Sequence, residues 1–143
     1  AILHDCGYYI NSRQHLRRSF DLIKNMDIYG LTRHEIEIIA FIAGYDEYNA
    51  PGNDTTDFAF PDTESYLTIS KLVAIFRLAN ALDKSQLQKL EDIKVRLDSE
   101  RLIITGECND DMNLEKLSFD LCSPFFQEVF GIRPVLIIKS SMI

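Results

Sequence analysis

The sequence predicts a mainly α-helical α+β fold, in which a helical bundle is followed by a small ββα(α)β unit. Apolar residues recur at helical spacing through most of residues 12–90, whereas residues 93–97 alternate between apolar and basic side chains, as in a half-buried strand. The chain of 143 residues, 46% hydrophobic and 26% charged, has an ordinary globular composition. We therefore divide it into a helical domain at 1–90 and a small α+β domain at 92–143.

The first two predicted helices are separated by a glycine. The first extends from Ser12 to Asn25, with apolar residues on one side and basic residues on the other. Gly30 interrupts this pattern, and Thr32 with Glu35 forms a capping-box sequence. We therefore expect a second helix from about Arg33 to Gly44.

A loop and a long helix complete the predicted helical domain. Residues 45–63 are rich in proline, glycine, asparagine and aspartate, which predicts an irregular loop. A third helix is expected from Ser65 to about Leu90. The spacing of its residues predicts a buried face formed by Leu72, Ile75, Phe76, Ala79 and Leu82-Asp83.

The small domain is expected to contain three strands. Residues 93–97 and 102–105 read as a hairpin, and residues 135–138 as a final strand. Residues 114–121 suit a helix or a strand, because their leucine spacing fits both periods. Ser123 followed by Pro124 predicts the start of a helix that ends at Gly131.

Charge and cysteine content narrow the classes of function. The net charge of −7 and the isoelectric point near 4.9 argue against general affinity for nucleic acids. No apolar run is long enough to predict a membrane span. The three widely spaced cysteines form no CxxC pair, which favours free thiols in a reducing, cytoplasmic compartment.

His4 and Asp5 are candidate metal ligands. An imidazole beside a carboxylate, after an apolar run and before a glycine, can contribute two ligands to a cation that activates water for phosphoryl chemistry. The alternative is that the two side chains only bond to each other or to the backbone. The chain starts without methionine inside an apolar helical pattern, so we expect a fragment with an N-terminally truncated helical domain.

A basic cluster follows the His-Asp pair within an otherwise acidic chain. Arginine and lysine bind phosphate groups through charge-assisted hydrogen bonds. The alternative is a solvated helix face whose charges pair with nearby acids such as Asp21. The candidate phosphate-binding residues are Arg13, His15, Arg17, Arg18 and Lys24.

Several segments in the same order resemble one family. The start of the chain is similar to the "LLHDIGYFI" stretch of HD-domain proteins and, more narrowly, to the helical region after the catalytic domains of Ppx/GppA exopolyphosphatases and guanosine pentaphosphate phosphohydrolases. Further segments resemble that family's "RGHHKHS", "GxTxEEI", "RLADALDRS" and "LFEEVFG" motifs. The segments that carry the resemblance are Ala1–Ile10, Arg13–Ser19, Gly30–Ile36, Phe76–Ser85 and Phe125–Gly131.

The resemblance implies an HD-like helical bundle with a degenerate metal site. HD sites join the His-Asp pair to an upstream histidine and a later aspartate. Asn80 occupies the position expected for that aspartate, and an amide is a poorer ligand for a hard cation. We therefore predict no catalytic residue in this chain and no cofactor, with a divalent metal at His4 and Asp5 as the alternative.

The resemblance also implies the role of the chain. It would be the C-terminal accessory region of an exopolyphosphatase-like phosphohydrolase, assisting the binding of polyphosphate or a nucleotide polyphosphate. Its expected partners are an upstream actin-like phosphatase domain of the same protein and a second copy in a homodimer. Two alternatives remain open, an independent metal-dependent HD-type phosphohydrolase and a ligand-free interaction module.

Overall fold

The computed structural model describes residues 3–10, 12–45 and 63–140. The predicted irregular loop at 45–63 lies outside these residues, apart from its two end positions. The chain separates into two compact units, Ala1–Val73 and Ala74–Ile143, with the division inside a helix. The predicted domains at 1–90 and 92–143 stay a prediction. In the described part of the chain, no helix is both long and apolar enough to cross a bilayer.

The first unit begins with two 3₁₀ helices, Cys6–Tyr9 and Ser12–Gln14, followed by α1, His15–Lys24, and α2, Arg33–Gly44. The predicted capping box at the start of α2 is present. Thr32 Oγ1 accepts a hydrogen bond from the Glu35 N–H at 3.3 Å, and the Glu35 carboxylate accepts one from the Thr32 N–H at 2.7 Å. These bonds satisfy N–H groups that lack a partner inside the helix and therefore define where α2 begins.

The first unit has buried apolar side chains on α1, α2 and the first part of α3. Phe20 of α1 meets Phe41 of α2 edge-on, with ring centroids 5.2 Å apart. Edge-to-face rings suit the charge distribution of aromatic systems and add to the stabilisation from burial. The buried apolar residues of this unit are Phe20, Ile23, Ile36, Ala40, Phe41, Ala43, Tyr45, Ile69 and Val73.

The third helix, α3, extends over Thr63–Ala81, so its predicted end near Leu90 was wrong. Residues 82–90 form turns instead, because Asp83 binds the chain beyond it: its backbone carbonyl accepts from the Gln86 N–H at 2.9 Å, and its carboxylate accepts from the Gln88 N–H at 2.8 Å. Gln86 and Gln88 take positive φ angles of 57° and 51°, which no helix accommodates.

The predicted buried face of α3 was also largely wrong. Leu72, Ile75 and Ala79 are exposed, whereas the buried apolar residues are Ile69, Val73, Ala74, Leu78 and Ala81. Two stripes of α3 carry apolar residues at helical spacing. The periodicity therefore identified the helix but did not identify the stripe that the tertiary packing covers.

The second unit contains a three-stranded sheet of β1, Glu91–Asp98, β2, Arg101–Glu107, and β3, Arg133–Lys139, in the order β1-β2-β3. β1 pairs antiparallel with β2, with Val95 opposite Ile104. β2 pairs parallel with β3, with Ile104 opposite Leu136. Parallel pairing requires a crossover, which α4 supplies. The mainly α-helical α+β fold and the ββαβ order of the small unit are therefore confirmed.

One helix, α4, covers Asn113–Phe130, so the predicted helix start at Ser123 was wrong. Pro124 lies inside the helix. Ser123 donates its hydroxyl hydrogen to the Phe119 carbonyl at 2.7 Å, as serine does in mid-helix rather than at a cap. Gly131 ends the helix as predicted, in the left-handed region at φ 68°.

The core of the second unit lies between α4, the sheet and the last turns of α3. Its fully buried members are Ala74, Leu78, Ala81, Ile104, Phe119, Cys122 and Phe126. Arg77 is buried among them and places its guanidinium carbon 5.2 Å from the centre of the Phe125 ring, within cation–π range.

Candidate functional site

His4 and Asp5 lie in a turn that precedes the first 3₁₀ helix, rather than in an α-helix. Their side chains contact each other, with His4 Nε2 3.0 Å from Asp5 Oδ2. Both side chains are partly exposed. The structure therefore brings the two predicted residues together, as an imidazole–carboxylate contact at the surface of the first unit.

Gly7 and Ser19 hold this turn against α1. The Gly7 N–H donates to Ser19 Oγ at 2.9 Å, and the Ser19 hydroxyl donates to the His4 carbonyl oxygen at 2.7 Å. A Cβ atom at position 7 would overlap the His15 carbonyl oxygen and the Ser19 nitrogen. The position of the His-Asp pair therefore depends on a glycine that permits close backbone contact and on a fully buried serine that bonds to two backbone groups of the turn.

The described residues supply too few ligands for a metal centre. Across 3–10, 12–45 and 63–140, no three histidine, cysteine, aspartate or glutamate side chains are close enough together to hold an ion. A structural or catalytic metal generally needs three or four protein ligands. Asn80, at the expected aspartate position, is an exposed residue of α3 in the second unit. Within the described residues, His4 and Asp5 are therefore two candidate ligands without a third.

The predicted basic cluster divides into two parts. Arg17 Nε and Arg18 Nη1 lie 4.0 and 3.9 Å from the same Asp21 oxygen, on the polar side of α1. Lys24, one turn further, lies with its Nζ 5.4 Å from the centre of the Phe20 ring.

The other two members of the cluster lie before or at the start of α1. His15 packs edge-on against Tyr8, with ring centroids 5.9 Å apart. Arg13 is exposed on the second 3₁₀ helix. Only Arg17, Arg18 and Lys24 therefore share the polar side of α1.

The electrostatics of α1 favour an anion without creating a deep site. Three cations and one carboxylate lie on α1, within a chain whose net charge is −7. Arg17 and Arg18 are about half exposed, and exposed ion pairs of this length contribute little stability. The contacts with Asp21 therefore contribute little to holding the two arginines in place.

Glu115 is a buried, ion-paired carboxylate that was not predicted from the sequence. Its carboxylate is only 1% exposed, lies 3.4 Å from Lys89 Nζ and accepts a hydrogen bond from the Ser85 N–H at 3.1 Å. Burial alone would raise the pKa of Glu115, but hydrogen bonds from Ser85 and Lys89 outweigh burial and lower it below the usual value. The Lys89 ammonium also donates to the Asp111 carbonyl at 2.8 Å.

The Lys89–Glu115 pair has a structural role. It joins the turn after α3 to the first turn of α4 within the second unit. Residues 26 positions apart in the chain leave no local pattern that could have revealed the pair. The single sequence signal was a glutamate in the first turn of a helix, where a carboxylate suits the helix dipole.

The amino-acid sequence matches the model of a known protein family. The model of Ppx/GppA phosphatase domain III matches residues 1–120. The chain belongs to the Ppx/GppA phosphatase family. No curated protein matches it individually at a significant level. The match includes the His-Asp turn, the basic helix α1 and most of the second unit up to the middle of α4. A domain numbered third in the Ppx/GppA family implies an upstream domain in the same protein.

Proposed function

We propose that the chain is the C-terminal accessory region of an exopolyphosphatase-like phosphohydrolase and assists the binding of polyphosphate or a nucleotide polyphosphate. The observation that carries the proposal is the polar side of α1, where Arg17 and Arg18 share one weakly held carboxylate. Guanidinium groups bind phosphate oxygens through paired, charge-assisted hydrogen bonds. Membership in the Ppx/GppA phosphatase family supports a phosphorylated anion as the ligand.

We infer that the HD-like helical bundle has kept the His-Asp pair without a working metal site. Two observations support this inference. The described residues provide no third ligand beside His4 and Asp5, and His4 Nε2 is already engaged by the Asp5 carboxylate. The pair is therefore proposed to stabilise the turn before α1. Cytoplasmic location, a homodimer and packing against an actin-like phosphatase domain belong to the same proposal.

A titration with polyphosphate tests the binding role of α1. We expect the double variant Arg17→Gln/Arg18→Gln to bind about tenfold more weakly than the native chain at low salt, since two phosphate contacts are lost. Native binding should also weaken steeply as salt rises. The matched control is Arg33→Gln/Lys71→Gln, which removes two other exposed cations of the first unit. Equal affinity of the three proteins would rule out α1 as the binding surface.

A ligand-free interaction module is the second candidate. It is favoured by an exposed row of leucines on α4, Leu114, Leu117 and Leu121, which recur at helical spacing. An exposed apolar row of this kind marks an interaction surface when it is part of a larger patch. Thermal stability that does not respond to polyphosphate, together with a tight dimer in analytical ultracentrifugation, would favour this candidate over the first.

A further inference from the structure

β3 is an edge strand whose outer side is open in the described part of the chain. It pairs only with β2, and two hydrogen bonds define which of its backbone groups face β2. The Arg133 N–H donates to the Glu100 carbonyl, and the Lys139 carbonyl accepts from the Cys108 N–H, both at 2.9 Å. Because backbone groups alternate along a strand, residues 133, 135, 137 and 139 face β2.

The residues between them therefore present their backbone groups to the open edge. Leu136 and Ile138 each offer an N–H and a carbonyl there, whereas Pro134 offers a carbonyl alone. Proline at an edge limits indiscriminate strand pairing. The remaining donors and acceptors still match those of one short extended segment.

A groove accompanies this edge. It has a volume of about 280 Å³ and lies between β3 and α4, lined by Pro134 and Leu136 on one side and by Lys116, Phe119 and Asp120 on the other. An edge strand beside a helix, with a groove between them, is the geometry by which proteins bind extended peptides through strand addition. Main-chain hydrogen bonds hold the peptide there, and alternate side chains enter the groove.

The charges around the open edge of β3 indicate which kind of partner would bind there. Arg133 and Lys139 stand at the two ends of β3, and Lys116 borders the groove, against the carboxylates of Asp120 in the groove and of Glu107, which lies opposite Lys139 on β2. Antiparallel pairing of β3 with β3 of a second copy, centred on Leu136, would place Arg133 opposite Lys139. Like charges at directly opposite positions are destabilising. An acidic partner is therefore favoured over a second copy.

We propose that the open edge of β3 and the groove beside α4 form a binding site for an extended acidic peptide segment of a partner protein. The peptide adds as a fourth strand. Its carboxylates meet Arg133 and Lys139, and its apolar side chains enter the groove at Phe119 and Leu136. This site is separate from the phosphate-binding role proposed for α1.

Hydrogen exchange at single amides, measured by NMR on the whole chain, tests this site. The probe is the peptide Glu-Val-Glu-Phe-Glu-Val-Glu, in which carboxylates and apolar side chains alternate. In the free protein the amides of Leu136 and Ile138 should exchange quickly and those of Val135 and Ile137 slowly. Saturating peptide should slow exchange at Leu136 and Ile138 at least about tenfold, since only these two amides gain a partner.

A modified peptide and two protein variants distinguish strand addition from other modes of peptide binding. The same peptide with N-methyl groups on its pairing side keeps every side chain and should bind at least about tenfold more weakly. Arg133→Glu should weaken binding about tenfold, whereas Lys71→Glu, a matched reversal elsewhere, should leave it unchanged. Absence of binding at about 1 mM peptide, an affinity weaker than about −4 kcal/mol, would overturn the proposal. Binding without added protection at Leu136 and Ile138, or equal binding of the N-methylated peptide, would also overturn it.

Discussion

Ion pairs of similar chemistry have different surroundings in the two compact units. In the first unit, Arg17 and Arg18 approach Asp21 at about the outer limit of an ion pair, with all three side chains about half exposed. In the second unit, Lys89 meets Glu115 at 3.4 Å where Glu115 is buried. Water competes with the first contact and has little access to the second. The exposed pair is therefore suited to exchange partners with a ligand, and the buried pair is suited to hold the fold.

The largest expected effect comes from the buried pair. Glu115→Gln should lower the free energy of unfolding by about 3 kcal/mol, because it leaves the Lys89 side chain, which is only 15% exposed, without its counter-charge. The free energy is measured by urea denaturation monitored by circular dichroism. Asp21→Asn is the matched control in the first unit and should cost less than about 0.5 kcal/mol. Equal losses would mean that burial does not distinguish the two pairs.

The pH dependence of stability is a second test of the difference between the buried and the exposed ion pairs. The pKa of Glu115 is lowered in the folded chain, so its contribution is fully present above the ordinary value of 4.5 and is lost as the pH falls through the lower folded value. The difference in unfolding free energy between the native chain and Glu115→Gln should therefore stay constant from about pH 7 down to the ordinary value of 4.5 and shrink as the pH falls below it. A difference that stays constant below 4.5 as well would mean that the Glu115 charge does not contribute.

Two glycines provide a second, smaller contrast. At Gly7 an added Cβ meets backbone atoms of α1, whereas at Gly106 it meets the Leu90 side chain at 2.6 Å. Backbone cannot move aside as a leucine side chain can. We expect Gly7→Ala to cost about 2 to 3 kcal/mol in thermal or urea unfolding, and Gly106→Ala about 1 kcal/mol. The reverse order would show that the His-Asp turn is not held tightly against α1.

The smallest effect is expected at the α2 cap. Thr32→Ala removes the hydroxyl that accepts from the Glu35 N–H, and it should lower the unfolding free energy by about 1 kcal/mol. Thr32→Ser keeps the acceptor and should recover most of that loss in the same urea titration. A serine variant as unstable as the alanine variant would contradict the capping role.

Local signals predicted local structure well. The capping box and the αL glycine were recognised at Thr32 and Gly131, because each depends on residues within one turn. The contacts within the candidate site are local in the same way. His4 lies beside Asp5 because they are neighbours in the chain, and Arg17 and Arg18 share Asp21 because residues three and four apart are adjacent on a helix. The roles assigned to these residues stay predictions.

Features that depend on distant residues were missed or misplaced. Pro124 read as a helix start, yet it lies within α4, where burial of Phe119, Cys122 and Phe126 on one face outweighs a broken turn. The end of α3 was placed nine residues too late, since the hydrogen bonds that Gln86 and Gln88 donate to Asp83 are not visible in hydropathy. The buried stripe of α3 was misassigned because two apolar stripes satisfied the same period.

By itself the sequence determined the family, the mainly helical α+β class and the helix and strand signals that arise within a few residues. The tertiary structure alone decided which apolar stripe is buried, that Glu115 meets Lys89, and that one edge of β3 stays open beside a groove. The physical reason is that propensity and capping are properties of neighbouring residues. Burial and desolvation depend on which distant segments come together, and that choice sets whether a charge binds a ligand or stabilises the core.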